Sequence, residues 1–416
     1  NPASGQTRNV YGHNLTVGGS SGGAASAVAG YMCPLAVTED TGGSTRVPAS
    51  CNQNYGFDPS RNHFCNDGNP GMSYTNDQLG VNARSIDDII LYDLALLPHL
   101  KELHVAGKHG IALRSDASIR IGTPLLPYVH DIVGPGLWDS GRHYTLNADL
   151  MQKYKEVKAA FASAGFSVVD REWPSAYFDY LGRLENVCVE AVHTRRPING
   201  KPINHAMTGL KSFTGQVADF VHNYYNAPVS IREIQEDSEH GAWGAGNIDE
   251  TQYRYWIGPK VKSDCEAYNS IFEDNGLDVL LLPAGFGATP DLARIYEGTC
   301  TITRLPGSLD GEGPLEKGSA KECFQHHFFT FKHLHIPKMI VPTGLTADGR
   351  PTAVQIWGKA VPYELMFDDS FAAKHDVEFL YLVRRICDAI QNQPGLCRED
   401  AEMVIKDLHL PSTRPK

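Results

Sequence analysis

Two glycine-rich segments that each contain serine constrain this chain more than any other feature of its sequence. The first is Gly18-Gly19-Ser20-Ser21-Gly22-Gly23, which leads into an alanine-rich run, and the second is Asp40-Thr41-Gly42-Gly43-Ser44. Glycines beside a serine let the backbone approach a ligand closely and direct several N–H groups into one cavity. Such a cavity suits an anion, either a phosphate or the oxyanion of acyl transfer. If the chain carries chemistry, we expect it at these two loops.

Three other interpretations of the loops follow from the residues alone. A pair of flexible turns would need no ligand. A phosphate loop is disfavoured, because the sequence has no Gly-x-x-x-x-Gly-Lys-Ser/Thr and no lysine before residue 100. The first loop does spell Gly-x-Ser-x-Gly, the pattern of a nucleophile elbow. That pattern leaves the second loop unexplained, because Gly42-Gly43-Ser44-Thr45-Arg46 lacks the final glycine.

The remainder of the chain predicts one α/β unit with a helical elaboration. Ile119–Gly122 alternates as a strand, Leu150–Ala164 has helical periodicity, and Phe166–Val169 is again a strand. This β–α–β order favours helices packed on a mixed or largely parallel sheet. Ser85 is expected to cap a helix. Later elements are expected at Leu277–Pro283, Lys338–Val341 and Ala353–Trp357 as strands, and at Glu378–Ile390 as a closing helix.

Charge and composition exclude several classes of function. The 416 residues include 37 Lys and Arg against 48 Asp and Glu, a formal charge of −11. This balance argues against a nucleic-acid partner, which needs a basic surface to neutralise phosphates. No run of the sequence approaches the roughly 18 apolar residues of a membrane-spanning helix. We therefore expect neither a nucleic acid nor a transmembrane segment.

The nine cysteines leave the compartment open. An odd count leaves at least one thiol without a partner in the chain, and the absence of Cys-x-x-Cys disfavours a zinc ribbon or a thioredoxin-type site. Cys387 with Cys397, and Cys300 with Cys323, are spaced to close disulfides in an oxidising compartment. The sequon Asn14-Leu15-Thr16 also favours secretion. Reduced thiols in a cytosolic protein are the open alternative.

Histidine and aromatic residues offer two further candidate sites. His326-His327 and His333-x-His335 stand out among 17 histidines, but no carboxylate or cysteine joins them at ligand spacing. We therefore predict no metal. The aromatic residues between positions 175 and 260 suit either a substrate channel or core packing.

Taken together, the two loops resemble the amidase signature family, the serine hydrolases of the Ser-cisSer-Lys type. The match covers residues 18–25 and 40–50, and the separation of Ser20 from Ser44 is that of the family. The middle third of the chain matches only in the order of its elements. Further matching segments are Gly56-Phe57-x-Pro59, Gly80–Asp88, Asp278–Pro283, Ile336–Leu345 and Val354–Gly358.

The resemblance implies the amidase signature fold. This is an α/β fold in which one large mixed, mostly parallel twisted sheet is covered by helices on both faces. Residues 1–416 would be a single domain lacking its N-terminal segment. Within it, 1–117 would carry the catalytic serine loops, 118–275 the β–α–β unit with a helical substrate-pocket elaboration, and 276–416 the C-terminal strands and helix.

The resemblance also implies roles for individual residues. Ser44 would be the nucleophile that forms an acyl-enzyme, and Ser20, whose preceding peptide bond is cis in the family, would relay a proton to a neutral lysine. No cofactor is implied. Backbone N–H groups of the second loop would form the oxyanion hole, namely those of Thr41, Gly42, Gly43 and Ser44. Three side chains would brace the loops by hydrogen bonds without touching substrate, namely Ser21, Asp40 and Arg46.

The sequence departs from the family pattern in two places. The family lysine lies upstream of the first loop, where this chain has only 19 residues, and Lys101 and Lys108 lie in a different part of the pattern. We expect a separate N-terminal fragment, produced by proteolysis, to supply it, while an omitted segment or its loss in a non-catalytic relative stays open. Asp58 and Ser60 replace the usual lysine and threonine, a change expected to affect mainly a surface turn.

The sequence therefore predicts a serine hydrolase that cleaves a small-molecule carboxylic amide, with an ester or a carbamate as further substrate classes. The aromatic middle favours an apolar or aromatic acyl group. A non-catalytic scaffold or binding subunit is one alternative. An amidotransferase subunit, which would need a partner for ammonia delivery, is another, and a homodimer is left open.

Overall fold

Strands from both ends of the chain meet in one sheet. The computed structural model describes residues 5–69, 76–124, 148–171, 220–227, 254, 256–285, 287–293, 300–301, 322–323, 332–366 and 368–402. Its strands are β1 (Leu35–Glu39), β2 (Tyr55–Asp58), β3 (Leu79–Ala83), β4 (Arg120–Pro124), β5 (Ser167–Arg171), β6 (Val279–Pro283), β7 (Cys300–Thr301), β8 (Glu322–Cys323), β9 (Lys338–Leu345) and β10 (Pro351–Trp357). Eight of them form a sheet in the order β1-β3-β2-β9-β10-β6-β4-β5, and β7 pairs with β8 separately.

Strand pairing confirms the α/β class and the large mixed sheet, but it corrects the expected mostly parallel arrangement. Five of the seven pairings in the large sheet are antiparallel, and only β4–β5 and β4–β6 are parallel. The β–α–β order identified the parallel β4–β5 pair, whose strands are joined by a long crossover. The turn at residues 346–350 is too short for a crossover, so β9 and β10 pair antiparallel.

Seven α-helices accompany the sheet within the described residues. Ser85 caps α3 as expected, because its Oγ accepts a hydrogen bond of 3.0 Å from the Asp88 N–H. The expected closing helix begins earlier than its apolar pattern indicated, at Asp369. The helices are α1 (Gly22–Ala29), α2 (Arg46–Cys51), α3 (Ile86–Leu96), α4 (Lys101–Leu113), α5 (Ala148–Ser163), α6 (Val261–Asn275) and α7 (Asp369–Cys387).

The core lies against the central strands β6, β9 and β10, where nearly every residue is buried. Two tyrosine hydroxyls inside this core are hydrogen-bonded to backbone carbonyls, which offsets the cost of burying them. The Tyr154 hydroxyl donates to the Leu281 carbonyl at 2.8 Å, and the Tyr268 hydroxyl donates to the Gly358 carbonyl at the same distance. None of the described helices is both long and apolar enough to cross a membrane.

The cysteine pairs give different outcomes. Cys387 and Cys397 are separate thiols, which contradicts the disulfide expected across their turn. Cys387 is buried at the end of α7, and burial raises the pKa of its thiol. The Cys300–Cys323 disulfide stays a prediction, although β7 and β8 lie side by side. The domain subdivision at 117 and 275 also stays a prediction.

Candidate active site

The two glycine-serine loops are in direct contact. The Ser21 N–H donates to the Ser44 carbonyl at 3.3 Å, and the Ser21 hydroxyl lies 3.4 Å from the Glu39 N–H. The peptide bond between Gly19 and Ser20 is cis. Ser44 is half-buried and Ser20 is exposed. The fold therefore brings together the two loops whose serines the sequence singles out.

Close packing fixes the first loop on α2. Gly18 has a φ of +71°, and a Cβ there would lie 2.9 Å from Cγ1 of Val47, so glycine is required at this position. The buried Asn52 side chain donates to the Val17 carbonyl at 3.0 Å and to the Pro48 carbonyl at 2.8 Å. The start of the first loop is thereby tied to the helix that follows the second.

One carboxylate, that of Asp40, organises the second loop. Its Oδ1 accepts the Gly43 N–H at 2.7 Å, and its Oδ2 accepts the Thr45 N–H at 3.1 Å. The Arg46 guanidinium meets the two oxygens at 3.0 and 3.1 Å, and both side chains are fully buried. Burial alone would raise the pKa of Asp40, but Arg46 and Lys332 hold it below its usual value. An ionised Asp40 therefore fixes the backbone on both sides of Ser44.

The backbone N–H groups of this loop are not equivalent. The Gly43 N–H is already engaged by Asp40, which differs from its expected place in an oxyanion hole. Within the described part of the chain, the N–H groups of Thr41, Gly42 and Ser44 donate to no other group. Those three groups are the donors that a developing anion could use.

An acidic pair beside the loop was missed at the sequence level. Thr41 Oγ1 lies 2.8 Å from Glu39 Oε1 and 2.7 Å from Asp77 Oδ1. Burial, with the charge of Asp77 adding to it, raises the pKa of Glu39 to about 8. A neutral Glu39 can share the Thr41 hydroxyl with Asp77, whereas two ionised carboxylates would repel each other. No sequence signal links these residues, because Asp77 lies outside both motifs.

Asp58 and Ser60 are buried, so the surface turn expected for them is wrong. Asp58 lies 2.7 Å from Lys332 Nζ and 3.2 Å from Arg46 Nε. The Ser60 hydroxyl donates to Asp376 at 2.6 Å. The reason is the position of β2 between β3 and β9, which places the residues that follow it inside the molecule. At the sequence level, only the pattern of charged residues could have indicated this burial, because Lys332, the partner of Asp58, is distant in the sequence.

The remaining candidates do not join the site. Lys101 and Lys108 are exposed on α4. His335 is buried, and its Nε2 accepts from Arg61 at 2.8 Å, whereas His326-His327 and most of the aromatic segment lie outside the described residues. Phe220 and Tyr224 pack against each other with ring centroids 4.9 Å apart. Among the described side chains, no group of three or more His, Cys, Asp or Glu could hold a metal.

Comparisons with known proteins agree on one family for this chain. Residues 1–364 match the family model described as Amidase. The 6-aminohexanoate-cyclic-dimer hydrolase of Paenarthrobacter ureafaciens is 27% identical over 375 residues, which is 85% of this chain and 65% of that protein. A glutamyl-tRNA(Gln) amidotransferase subunit of Deinococcus radiodurans is 43% identical over 89 residues, 21% of this chain and 18% of that protein.

The solved structures extend the likeness to the fold. The peptide amidase of Stenotrophomonas maltophilia superposes with a TM-score of 0.59 at 18% identity, covering 96% of this chain and 70% of that one. The chain spans less than two thirds of the length of the two curated relatives described above, 65% of the hydrolase and 18% of the amidotransferase subunit.

Proposed function

The chain belongs to the amidase family, and on that premise we propose that it is a serine hydrolase that cleaves a carboxylic amide through an acyl-enzyme on Ser44. One observation carries the proposal. The Ser44 loop, held by a buried carboxylate, lies in direct contact with the loop of a second serine, Ser20. A nucleophile with a neighbouring hydroxyl that relays its proton is the arrangement that covalent amide cleavage needs.

The proposed reaction proceeds in two steps. Ser44 Oγ attacks the amide carbonyl carbon while its proton passes to Ser20 and from there to a base. The N–H groups of Thr41, Gly42 and Ser44 stabilise the oxyanion, with one such donor typically contributing about 3–4 kcal/mol. The C–N bond then breaks as the amine takes up a proton through Ser20. Water hydrolyses the ester on Ser44 and regenerates the hydroxyl.

This route requires a base that takes up the proton from Ser20. The family resemblance implies a lysine, and among the described residues no lysine hydrogen-bonds to Ser20. We propose that a lysine on a segment outside the printed sequence supplies it. Intact mass spectrometry of the native protein tests this, because the proposal requires a longer chain or a second, co-purifying fragment that contains lysine.

The substrate class is proposed from the relatives. One relative is named as a 6-aminohexanoate-cyclic-dimer hydrolase, and the protein of similar fold is named as a peptide amidase. We propose a small amide with an apolar or aromatic acyl group. A panel of anilides that differ only in the acyl group tests this, and a preference for short polar acyl groups would count against it.

A fluorophosphonate probe tests the nucleophile directly. The native protein should be labelled at Ser44, as located by peptide mass spectrometry, and Ser44→Ala should remove both labelling and amide hydrolysis. Ser118→Ala is the matched control, because Ser118 is exposed and its hydroxyl donates to the Ser115 carbonyl within the same turn. Absence of labelling in the native protein would support a non-catalytic scaffold instead.

An amidotransferase component is the second candidate, favoured by the 43% identity to the Deinococcus radiodurans protein over a short stretch. Such a component would work with a partner, and none is shown for this chain. Release of ammonia from glutamine, in preference to every other amide tested, would select this candidate.

A further inference from the structure

Four buried charges form a closed ring behind the Ser44 loop. Arg46 Nε lies 3.0 Å from Asp40 and 3.2 Å from Asp58. Lys332 Nζ lies 2.7 Å from Asp58 and 3.4 Å from Asp40. The four side chains are at most 3% exposed, so carboxylates and cations alternate with little screening by water. The ring is neutral as a whole when all four groups are ionised.

Two further titratable groups face the ring. Lys338 is fully buried on β9, where burial and the charge of Arg46 lower its pKa well below the usual value. Glu39 lies close enough for Lys332 to influence its pKa, but it stays neutral to about pH 8. By distance, Lys332 is the lysine that pairs with Asp58, at 2.7 Å.

Lys332 also reaches the loop itself. The Asp40 oxygen that it faces, Oδ1, is the one that accepts the Gly43 N–H. Removal of Lys332 would leave two buried carboxylates against one guanidinium, and like charges at this distance cannot both stay ionised. Protonation of Asp40 would weaken the hydrogen bonds from Gly43 and Thr45 that shape the loop.

We propose that Lys332 is a positioning residue for the Ser44 loop, acting through Asp58 and Asp40. The inference rests on the proposed function, because it concerns how Ser44 is held for reaction. Lys332 does not touch substrate in this proposal. Its role is to keep Asp40 ionised and Oδ1 on the Gly43 N–H.

Variants at two positions test the ring. Lys332→Met should lower kcat about 100-fold while changing KM less than about threefold, because displacement of a reactive group costs turnover more than ground-state binding. Adding Asp58→Asn to Lys332→Met should raise kcat at least about tenfold above that of Lys332→Met alone, because it removes the unbalanced carboxylate. Lys332→Arg should retain most activity.

Two measurements separate this role from simple packing. In Lys332→Met the acid limb of the kcat profile should move to higher pH, because a cation is removed from beside two carboxylates. Amide hydrogens in the peptide covering residues 41–47 should exchange about tenfold faster, with no change in α7. Lys262→Met is the matched control, because Lys262 forms an exposed ion pair with Glu364.

The outcomes distinguish the two proposals. If the native protein neither labels at Ser44 nor cleaves amides, the proposed function fails, and the exchange experiment still decides whether Lys332 holds the loop. Unchanged exchange and kcat in Lys332→Met would overturn the role of Lys332. So would a double variant that is no better than Lys332→Met. If Lys332→Met does not fold, the double variant and Lys332→Arg provide the same comparison.

Discussion

At the scale of single residues, Asp40 shows how one side chain shapes a site. The sequence identified it as a brace because of the resemblance, and its bonds to Gly43, Thr45 and Arg46 agree with a bracing position. The same carboxylate removes the Gly43 N–H from the set of available oxyanion donors. That consequence depends on side-chain direction, which the order of residues does not encode.

Asp40→Asn should weaken both the fold and the site. An amide oxygen can replace only part of the accepting capacity of the carboxylate, and Arg46 loses a buried counter-ion, a change that typically costs about 3–5 kcal/mol. We expect urea unfolding to show a loss of this size and labelling of Ser44 to slow about 100-fold. The exposed Asp67 gives the control Asp67→Asn, expected within about 0.5 kcal/mol of the native protein. Equal midpoints for both variants would contradict the bracing role.

Glu39→Gln should stabilise the protein at alkaline pH. The folded chain keeps Glu39 neutral up to about pH 8, whereas in the unfolded chain it ionises near its ordinary pKa of 4.5. Stability of the native protein therefore falls as pH rises from about 4.5 to 8, and glutamine has no proton to lose. We expect Glu39→Gln to raise the free energy of unfolding by about 1 kcal/mol at pH 8 and by less at pH 5. Exposed Glu273→Gln is the control, and an equal gain in it would refute the assignment.

At the scale of elements, sequence reasoning succeeded where the signal was local. The glycines that frame Ser20 and Ser44, the Ser85 cap and the parallel β4–β5 unit each lie within one short stretch of chain. The burial of Asp58 and Ser60 was missed, because it follows from the neighbours of β2, which come from residues far along the chain. A local sequence pattern indicates periodicity and helix caps, but it does not indicate which strands pair with each other in the sheet.

A buried histidine network joins four elements in the same non-local way. His63, which follows β2, meets Asp93 of α3 at 2.7 Å and Asp376 of α7 at 3.3 Å, and His104 of α4 meets Asp93 at 2.9 Å. Burial alone would lower the pKa of His63, but its bond to Asp93 and the charge of Asp376 raise it. Burial would raise the pKa of Asp93, yet hydrogen bonds from His104 and His63 lower it to about 2. The contacts of His63 with Asp93 and Asp376 are ion pairs only when His63 is protonated.

His63→Gln should destabilise the protein mainly at acidic to neutral pH. Because the folded pKa of His63 lies above its ordinary value of 6.5, its contribution is fully present below about pH 6.5 and is lost as pH rises through the folded value. We expect the variant to be about 3 kcal/mol less stable at pH 6, with the gap narrowing toward pH 9. Urea unfolding at several pH values measures this. Exposed His13→Gln is the control, and a gap independent of pH would contradict an ionised His63.

At the scale of the whole molecule, the sheet gathers the site from separated parts of the chain. The loops of Ser20 and Ser44 come from the first 46 residues, whereas Lys332 and β9 approach the same place from beyond residue 330. The sequence predicted the α/β class and five of the eight strands in the large sheet, but it overestimated parallel pairing, because a β–α–β pattern indicates pairing only for the segment that it spans. Strand order depends on packing between distant segments.

Residues near the start of the described chain also contact residues near its end. The Tyr31 hydroxyl, which follows α1, donates to Asp400 at 2.9 Å, and the Arg84 guanidinium lies 4.3 Å from the centre of the Tyr31 ring. Tyr11 donates to the Glu399 carbonyl at 2.7 Å. Because α1 begins directly after Ser20 and Ser21, this contact anchors the far end of the helix that carries the first loop.

Tyr31→Phe and Asp400→Asn should therefore show energetic coupling in a double-variant cycle. A hydrogen bond to a charged group typically contributes about 1.5–3 kcal/mol, and a partly exposed bond lies at the lower end of that range. We expect Tyr31→Phe to lose about 1–2 kcal/mol of unfolding free energy, and the double variant to lose no more than Asp400→Asn alone, which also weakens the ion pair between Asp400 and Arg398. Exposed Tyr225→Phe, which should leave stability unchanged, is the control. Strict additivity of the two losses would show that Tyr31 and Asp400 act independently, and the end-to-end contact would then contribute nothing to holding α1.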